Sequence, residues 1–248
     1  MLSICIPSRG RAELLWATIC ACELALKGME REYIIHLNGK TYDNPRTFGD
    51  NPEPMDEPHY LIRNNSDGAV KYLYSAEPIP PPIARNECAK IATGDYLVFF
   101  DDHCLPDPDW FTKLLELDKD IVHSSYSTHV GYHRYYHFIH LGDPNPLKGD
   151  YSRAPLSQEP YQCASAPHGG FGVKRAVWDA LGGYGDFWQG FGGEEAYFDM
   201  LAAKKGFEVW MHPQMHFYHF SCRAETRGYD KGFNPWNFEE GWRRLIGS

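Results

Sequence analysis

The feature that most constrains the fold is a run of five apolar residues, Tyr96–Phe100, followed at once by Asp101, Asp102 and His103. The run has no alternation of apolar and polar residues, which is typical of a strand covered on both faces inside an α/β sheet. In open sheets of this kind, ligands bind in the crevice at the carboxyl ends of the strands. We therefore expect these acids and the imidazole to lie at a ligand site. A turn whose aspartates cap the following helix is the alternative.

Other segments of the chain also favour a layered α/β fold. Apolar runs over Leu2–Ile6 and Tyr33–Leu37 enclose a helical pattern over residues 12–27, which predicts parallel strands joined by a right-handed crossover. Further strands are predicted over Val70–Tyr74, Asp120–Thr128, Gly169–Val173 and Glu208–Met211, and further helices over Ile83–Ala92, Lys174–Leu181 and Glu194–Lys205. A chain of 248 residues without internal repeats favours one α/β domain with a Rossmann-like, mostly parallel sheet flanked by helices.

The net charge limits the classes of binding partner, and the cysteine pattern indicates the redox environment. The net charge of −9 excludes binding to nucleic acid or anionic membranes by overall electrostatics. A local exception is the basic tail, whose cations are Arg223, Arg227, Lys231, Arg243 and Arg244. Seven scattered cysteines without a Cys-x-x-Cys pair favour reduced thiols. Because the chain also shows neither a signal-peptide pattern nor an apolar run long enough to span a bilayer, we expect a cytoplasmic protein without stable membrane insertion.

Two motifs together point to a known class of enzyme. The turn from Asp101 to His103 is followed, some ninety residues later, by Gly192-Gly193-Glu194-Glu195 at a predicted helix start. This pairing resembles the GT-A-fold glycosyltransferases. The resemblance covers about residues 2–38, 72–111 and 168–220, in the order that these enzymes have.

Three branches of these enzymes are similar to different parts of the chain. The opening Ser3–Ser8, followed by Arg11, and the element Ala84–Asn86 resemble family two of the glycosyltransferases. The turn Asp101–Cys104 is similar to that of polypeptide N-acetylgalactosaminyltransferases. The stretch Trp188–Glu195 is similar to β-1,4-galactosyltransferases. The resemblance implies one GT-A domain over residues 1–248, with a nucleotide-binding half at 1–110, an acceptor-binding half at 111–220 and a C-terminal tail at 221–248.

The resemblance implies a divalent metal ion, Mn²⁺ with Mg²⁺ as the alternative. The metal ligands that it implies are Asp101, His103 and His219. His219 follows Pro213 by six residues, which matches the spacing of the third ligand in the N-acetylgalactosaminyl branch, and His212 and His216 compete for the same place. Mixed oxygen and imidazole ligation suits Mn²⁺ better than Ca²⁺.

The nucleotide-sugar donor is expected at the ends of the first strands. The donor-binding residues that the resemblance implies are Pro7, Ser8, Arg9, Arg11, Asn38, Arg85, Asp101 and Asp102. Arg85 is expected to pair with a phosphate, and Asp102 to lie near the ribose or the metal. Asn38 stands where many relatives carry an acid that recognises uracil. The resemblance therefore implies UDP as the donor nucleotide less strongly than it implies the fold.

The acceptor is expected around the two glycine-rich stretches. The acceptor-binding residues that the resemblance implies are Gly170, Trp188, Gly193 and Glu194, and the catalytic residues are Glu195 and Glu194. Glu195 matches the catalytic base of inverting relatives, and the helix dipole is expected to keep its carboxylate ionised. In the N-acetylgalactosaminyl branch this position is not acidic and configuration is retained. We favour inversion and leave retention open.

The expected function is metal-dependent transfer of a sugar from a UDP-linked donor to a hydroxyl acceptor. The acceptor is open among a saccharide, a lipid-linked glycan, a protein and a modified DNA base. One alternative is a catalytically inactive carbohydrate-binding protein of the same fold, which the retained glutamates disfavour. Another is a sugar nucleotidyltransferase, for which the loop after the first strand lacks a glycine-rich phosphate-binding pattern.

A histidine stripe allows a separate hypothesis. Its members, spaced by four, four and three residues, are His129, His133, His137 and His140. On a helix they would share one face and could bind zinc. Interleaved aromatic residues favour equally a face that lines an acceptor cleft.

Overall fold

A computed structural model of the chain describes residues 1–9, 12–39, 69–128, 134–135, 155–166, 169–220 and 236–247. Its strands are β1 (Leu2–Ser8), β2 (Arg31–Asn38), β3 (Ala69–Ser75), β4 (Tyr96–Phe100), β5 (Cys104–Pro106), β6 (Ile121–Thr128), β7 (Arg134–Tyr135), β8 (Tyr161–Gln162), β9 (Gly170–Lys174) and β10 (Val209–His219). Its helices are α1 (Ala12–Leu26), α2 (Pro81–Ile91), α3 (Trp110–Leu117), α4 (Arg175–Leu181), α5 (Glu194–Lys204) and α6 (Trp236–Gly247).

The strands form one mixed sheet in the order β3-β2-β1-β4-β9-β6-β10-β5. The parallel β1–β2 pair confirms the predicted crossover, and β3 and β4 extend the parallel half on either side. Strand β9 runs antiparallel between β4 and β6, and β5 pairs antiparallel with β10. The predicted single α/β domain with a large central sheet is confirmed, and the carboxyl ends of β1, β2 and β4 share one edge.

Strand β4 is buried on both faces, as its unbroken apolar run predicts. All five of its residues are buried. On one face the Phe99 ring packs 5.1 Å from Phe171 and 4.8 Å from Trp178, and on the other Phe100 packs 4.8 Å from Trp110. Burial of each such ring contributes about 1.5–3 kcal/mol. These two cores hold the end of β4 rigidly where Asp101 emerges.

Some helices and strands were predicted from the sequence and others were not. Helix α2 begins two residues earlier than predicted, because Pro81 and Pro82 occupy its first turn, where proline costs no hydrogen bond. Helices α3 and α6 and strand β5 were not predicted. The described helices run from 7 to 15 residues, and none of them is long and apolar enough to cross a bilayer.

Strand β10 is longer than predicted and carries an irregularity that decides the site. The sequence predicts a strand near Glu208–Met211. The strand instead continues to His219, and its register against β6 shifts between His212 and His216. After this shift His219 pairs with Cys104 of β5, directly beside the acidic turn.

Some predictions fall outside the described residues. These are the donor residue Arg11, the His129–His140 stripe and the basic residues Arg223, Arg227 and Lys231. They stay predictions.

Candidate active site

The carboxylate of Asp101 joins two elements at the end of β4. Its Oδ1 accepts a hydrogen bond from Arg85 Nη2 at 2.9 Å, and its Oδ2 lies 3.4 Å from His219 Nε2. Burial alone would raise the pKa of Asp101, but the contact with His219 and the charge of Arg85 outweigh it and hold that pKa well below its ordinary value. Asp101 is therefore an ionised carboxylate with oxygens directed at two different partners.

The neighbouring Asp102 faces the other way and is buried. Its Oδ2 accepts hydrogen bonds from Ser8 Oγ at 2.7 Å and from the Arg9 backbone N–H at 3.1 Å. Its Oδ1 lies 2.7 Å from His103 Nδ1. This contact engages Nδ1 and leaves Nε2 of His103 as the nitrogen able to bind a metal. Asp102 thus holds both the Ser8–Arg9 segment and the His103 ring.

His219 is brought to the turn by the pairing of β10 with β5. The Phe220 backbone N–H donates to His103 O at 3.0 Å, and the His103 and His219 ring centroids are 4.5 Å apart. His219 thus lies beside Asp101, with its Nε2 3.4 Å from Asp101 Oδ2, and its role as a metal ligand stays a prediction. The other two candidate histidines have different places. His216 Nε2 lies 3.0 Å from Ser127 Oγ, and His212 lies before the register shift.

The possible metal-ligand atoms of Asp101, Cys104 and His219 lie within 4.8 Å of one another. The sequence analysis did not include Cys104 in this group. Cys104 is fully buried and its Sγ donates to Gly169 O at 3.1 Å. Burial raises the pKa of this thiol well above its ordinary value, so it stays protonated. In an octahedral site with ligand bonds of about 2.1 Å, neighbouring ligand atoms lie about 3 Å apart. The 3.4 Å between Asp101 Oδ2 and His219 Nε2 is close to this spacing, so both atoms could bind one metal ion.

Arg85 is the countercharge to the acids of the site. It projects from α2, is only 4% exposed, and holds its guanidinium 5.9 Å from the Tyr184 ring centroid. Burial alone would lower the pKa of Arg85, but Tyr184 and the carboxylates of Asp101, Glu194 and Glu195 raise it above its ordinary value. The guanidinium is therefore charged and lies beneath the acids rather than on the surface.

The predicted helix α5 starts at Glu194, after Gly192 and Gly193 with φ of +114° and +85°. Such φ values favour glycine, so the two glycines allow the turn that leads into the buried start of the helix. Glu194 is 5% exposed and folds back, with Oε2 accepting the Gly192 N–H at 2.6 Å. Glu195 is half-buried and keeps a path to solvent.

The protonation of these two glutamates differs from the sequence-based expectation. Burial, followed by the charge of Glu194, raises the pKa of Glu195 to about 8. Burial likewise raises the pKa of Glu194, although Arg85 and the Gly192 N–H oppose it. The helix dipole is worth about 0.3–1 kcal/mol, whereas one pKa unit is about 1.4 kcal/mol. Desolvation therefore outweighs the dipole.

The side-chain amide of Asn38 bonds the backbone of the segment before α2. It is buried at the end of β2. Its Oδ1 accepts the Ile79 N–H and its Nδ2 donates to Ile79 O, both at 2.8 Å. The side-chain amide thus anchors the proline-rich segment before α2. Pro7 lies in β1, level with His36 of β2.

Two of the predicted acceptor residues have packing roles. A Cβ on Gly170 would lie 2.8 Å from the Phe100 ring and 2.9 Å from the Phe217 ring, so close packing requires glycine there. Trp188 is only 4% exposed, and its Nε1 donates to Tyr184 O at 2.7 Å. The Trp188 ring is therefore not exposed for stacking on a sugar.

A buried pair that sequence reasoning missed supports α5. His123 Nε2 of β6 lies 3.1 Å from Asp199 Oδ1, and both side chains are fully buried. Asp199 Oδ2 also accepts the Ala166 N–H at 3.2 Å. Asp199 stands one helical turn after Glu195. No sequence signal could have paired two residues 76 positions apart on different elements.

The family is decided by a sequence comparison. The family model for Glycosyl transferase family 2 matches residues 3–181, which include Arg85, the Asp101–His103 turn and all of β1 but Leu2. The chain belongs to this family. The match ends at the last residue of α4, so Glu194, Glu195, His219 and α6 lie beyond it. No curated protein matches the chain in sequence.

Solved structures share the fold along the whole chain. A structure of GalNAc-T7 with UDP, GalNAc and Mn²⁺ is 18% identical with a TM-score of 0.70, covering 100% of this chain and 48% of that one. A structure of S. aureus TarS 1-349 with UDP-GlcNAc is 12% identical with a TM-score of 0.66, covering 99% of this chain and 65% of that one. The chain thus spans about half to two thirds of the length of these two structures. The structural likeness over the whole of this chain confirms the GT-A fold.

Proposed function

We propose that the protein transfers a sugar from a UDP-linked donor to a hydroxyl acceptor with inversion, and that the reaction depends on a divalent metal. One observation carries the proposal: Asp101 and His219, from two strands far apart in sequence, meet 3.4 Å apart at the edge of the sheet where α/β folds bind ligands. Family 2 membership and the likeness to structures holding UDP or UDP-GlcNAc support the same reaction class.

The metal would be held by Asp101, His219 and His103. Asp101 is held ionised, and its Oδ2 lies 3.4 Å from His219 Nε2, a pair of ligand atoms that would suit a divalent cation. A bound divalent cation would neutralise the charge that develops on a departing nucleoside diphosphate. Imidazole and carboxylate ligands suit Mn²⁺, and the GalNAc-T7 structure holds Mn²⁺. Mg²⁺ is the alternative to be compared in the assay.

The base that we propose is Glu195. In an inverting transfer the acceptor oxygen attacks the anomeric carbon as the bond to the diphosphate breaks, and the diphosphate leaves with the bonding electron pair. The acceptor hydroxyl proton must pass to a nearby carboxylate. Glu194 is committed to the loop through the Gly192 N–H, whereas Glu195 is half-buried with access to solvent. This difference assigns proton transfer to Glu195 and a positioning role to Glu194.

We propose that donor and acceptor use different halves of the chain. Residues 1–110 contain the Ser8–Arg9 loop, Arg85 and the acidic turn, and would bind the nucleotide. Residues 111–220 contain β9, α5 and His219, and would bind the acceptor, with residues 221–248 as a C-terminal tail. The bond from Ser8 to Asp102 joins the donor loop to the turn. Donor binding and metal binding are therefore expected to be coupled.

The test is incubation of the protein with UDP-linked sugars, Mn²⁺ or Mg²⁺, and a panel of saccharide, lipid-linked, peptide and DNA acceptors. Release of UDP with a new glycosidic bond of inverted anomeric configuration supports the proposal. Release of pyrophosphate from a sugar phosphate and UTP would identify a nucleotidyltransferase. Saccharide binding without turnover would identify a binding protein. A product of retained configuration would exclude Glu195 as the base.

A further inference from the structure

The loop between α4 and α5, residues Gly182–Gly193, leads directly into the glutamates of the site and is held from two sides. At its beginning, Asn86 of α2 fixes the backbone: its Oδ1 accepts the Tyr184 N–H at 3.0 Å and its Nδ2 donates to Gly185 O at 2.7 Å. Asn86 follows Arg85, so this contact ties the loop to the proposed donor half.

Near its end the loop is held by the C-terminal helix α6. Asn237 is fully buried, and its side-chain amide bonds both backbone groups of one loop residue. Its Oδ1 accepts the Gln189 N–H at 3.1 Å and its Nδ2 donates to Gln189 O at 3.3 Å. A paired amide of this kind fixes the backbone in position and orientation, because moving it would leave buried donors and acceptors unpaired.

Ring contacts extend the same attachment. The Arg244 guanidinium of α6 lies 4.3 Å from the Phe187 ring centroid, and Phe187 stacks on Trp188 at 4.4 Å. Both rings meet Tyr197 of α5 edge-on, at 5.2 and 5.6 Å. Trp188, which we expected to contact the acceptor, is thereby part of a packed link between α6, the loop and α5.

We infer that α6 is a clasp that positions the Gly182–Gly193 loop for catalysis, with Asn237 as its main positioning residue. The inference rests on the proposed function for the role of Glu195. The clasp lies outside the residues 3–181 that match the family. It acts through the loop backbone, so it is expected to set the placement of Glu194 and Glu195 without contributing to nucleotide binding.

The test is Asn237→Leu, which keeps the side-chain volume close to the original and removes both hydrogen bonds. Arg243→Ala is the matched control on the same helix, since Arg243 is 69% exposed and pairs with Glu240 of the same helix. Amide hydrogen exchange of residues 184–193 is measured by mass spectrometry, UDP affinity by calorimetry with Mn²⁺, and turnover with a UDP-linked sugar. Arg244→Ala is a milder second variant that leaves Asn237 in place.

In Asn237→Leu we expect exchange in the loop to rise about two- to tenfold, the equivalent of one net hydrogen bond. Exchange in β1 and β4 and the Kd for UDP stay unchanged, while kcat falls. Arg244→Ala gives a smaller rise confined to the loop, and Arg243→Ala gives none. Unchanged loop exchange in both variants would overturn the clasp, and so would a looser loop with normal kcat.

If Asn237→Leu does not fold, Arg244→Ala decides the same question. Failure of the proposed function gives a different result: the wild-type protein then turns over no UDP-linked sugar, whereas the exchange pattern still reports whether α6 holds the loop. A rise in exchange spread evenly over the sheet would also overturn the inference, because α6 would then be an ordinary part of the core.

Discussion

The pH dependence of turnover tests the assignment of Glu195 most directly. A base acts only when ionised, and burial together with Glu194 raises the pKa of Glu195 to about 8. With that pKa, roughly one tenth of the protein carries the ionised base at pH 7 and about nine tenths at pH 9. We therefore expect kcat/KM to rise about tenfold between these two pH values and to level off above pH 9.

The assay is the initial rate of UDP release from a UDP-linked sugar at saturating metal, from pH 6 to pH 9.5. Glu195→Gln keeps the shape of the side chain and cannot take a proton, so kcat is expected to fall about 10²- to 10⁴-fold. UDP affinity is expected to stay unchanged. Glu194→Gln is expected to act more on the acceptor KM, since Glu194 holds the loop through Gly192. A pH-independent rate, or near-normal turnover by Glu195→Gln, would refute the assignment.

Stability gives a second readout that needs no substrate. The native pKa of Glu195 lies above its ordinary value of 4.5, so the native state binds the proton more tightly than the unfolded state. The contribution of Glu195 to stability is therefore greatest below about pH 4.5 and is lost as the pH rises towards 8. Glu195→Gln is expected to raise Tm relative to wild type at pH 9 and to change it little at pH 4.5. Equal Tm differences at both pH values would show that the carboxyl is not desolvated.

Three further predictions follow from the contacts of the site. UDP and Mn²⁺ are expected to strengthen each other's binding in calorimetry and to lose that coupling in Asp101→Asn; UDP affinity unchanged by Mn²⁺ or EDTA would contradict it. Arg85→Ala is expected to weaken UDP binding and lower Tm, because it leaves Asp101 without its countercharge. The control Lys174→Ala breaks a surface pair with Asp118 and is expected to change neither. Equal effects of the two variants would show that Arg85 is not part of the site. Asp199→Ala is expected to lower the free energy of unfolding in urea by about 3–5 kcal/mol, because it breaks a fully buried pair, and a loss below about 1 kcal/mol would show that Asp199 is not held by that pair.

Several features could be predicted because their physical signals are local. The unbroken apolar run Tyr96–Phe100 can be satisfied only by a strand covered on both faces, and the structure has it so. The acids that follow it must emerge at the sheet edge. The predicted helix starts near Pro81 and Glu194 also follow from neighbouring residues, a proline-rich first turn and two glycines with positive φ.

Other features depend on distances between residues far apart in sequence. His219 is a neighbour of Asp101 because β10 shifts register before His216 and then pairs with β5. Residue spacing suggested His219, but only the register excludes His212 and His216. The resemblance implied that Asn38 and Trp188 bind ligands. In the tertiary structure both side chains are buried and donate hydrogen bonds to backbone carbonyl groups.

The sequence by itself determined the α/β sheet, the acidic turn at its edge and the paired glutamates at a helix start, because burial, turn and capping preferences act over a few residues. The tertiary structure alone decided which side chains share an electrostatic environment. Arg85, Asp101 and Glu195 come from three separate elements, and their pKa values depend on burial and on mutual distance. For that reason the sequence predicted an ionised Glu195, whereas the folded site favours a carboxyl that ionises near pH 8.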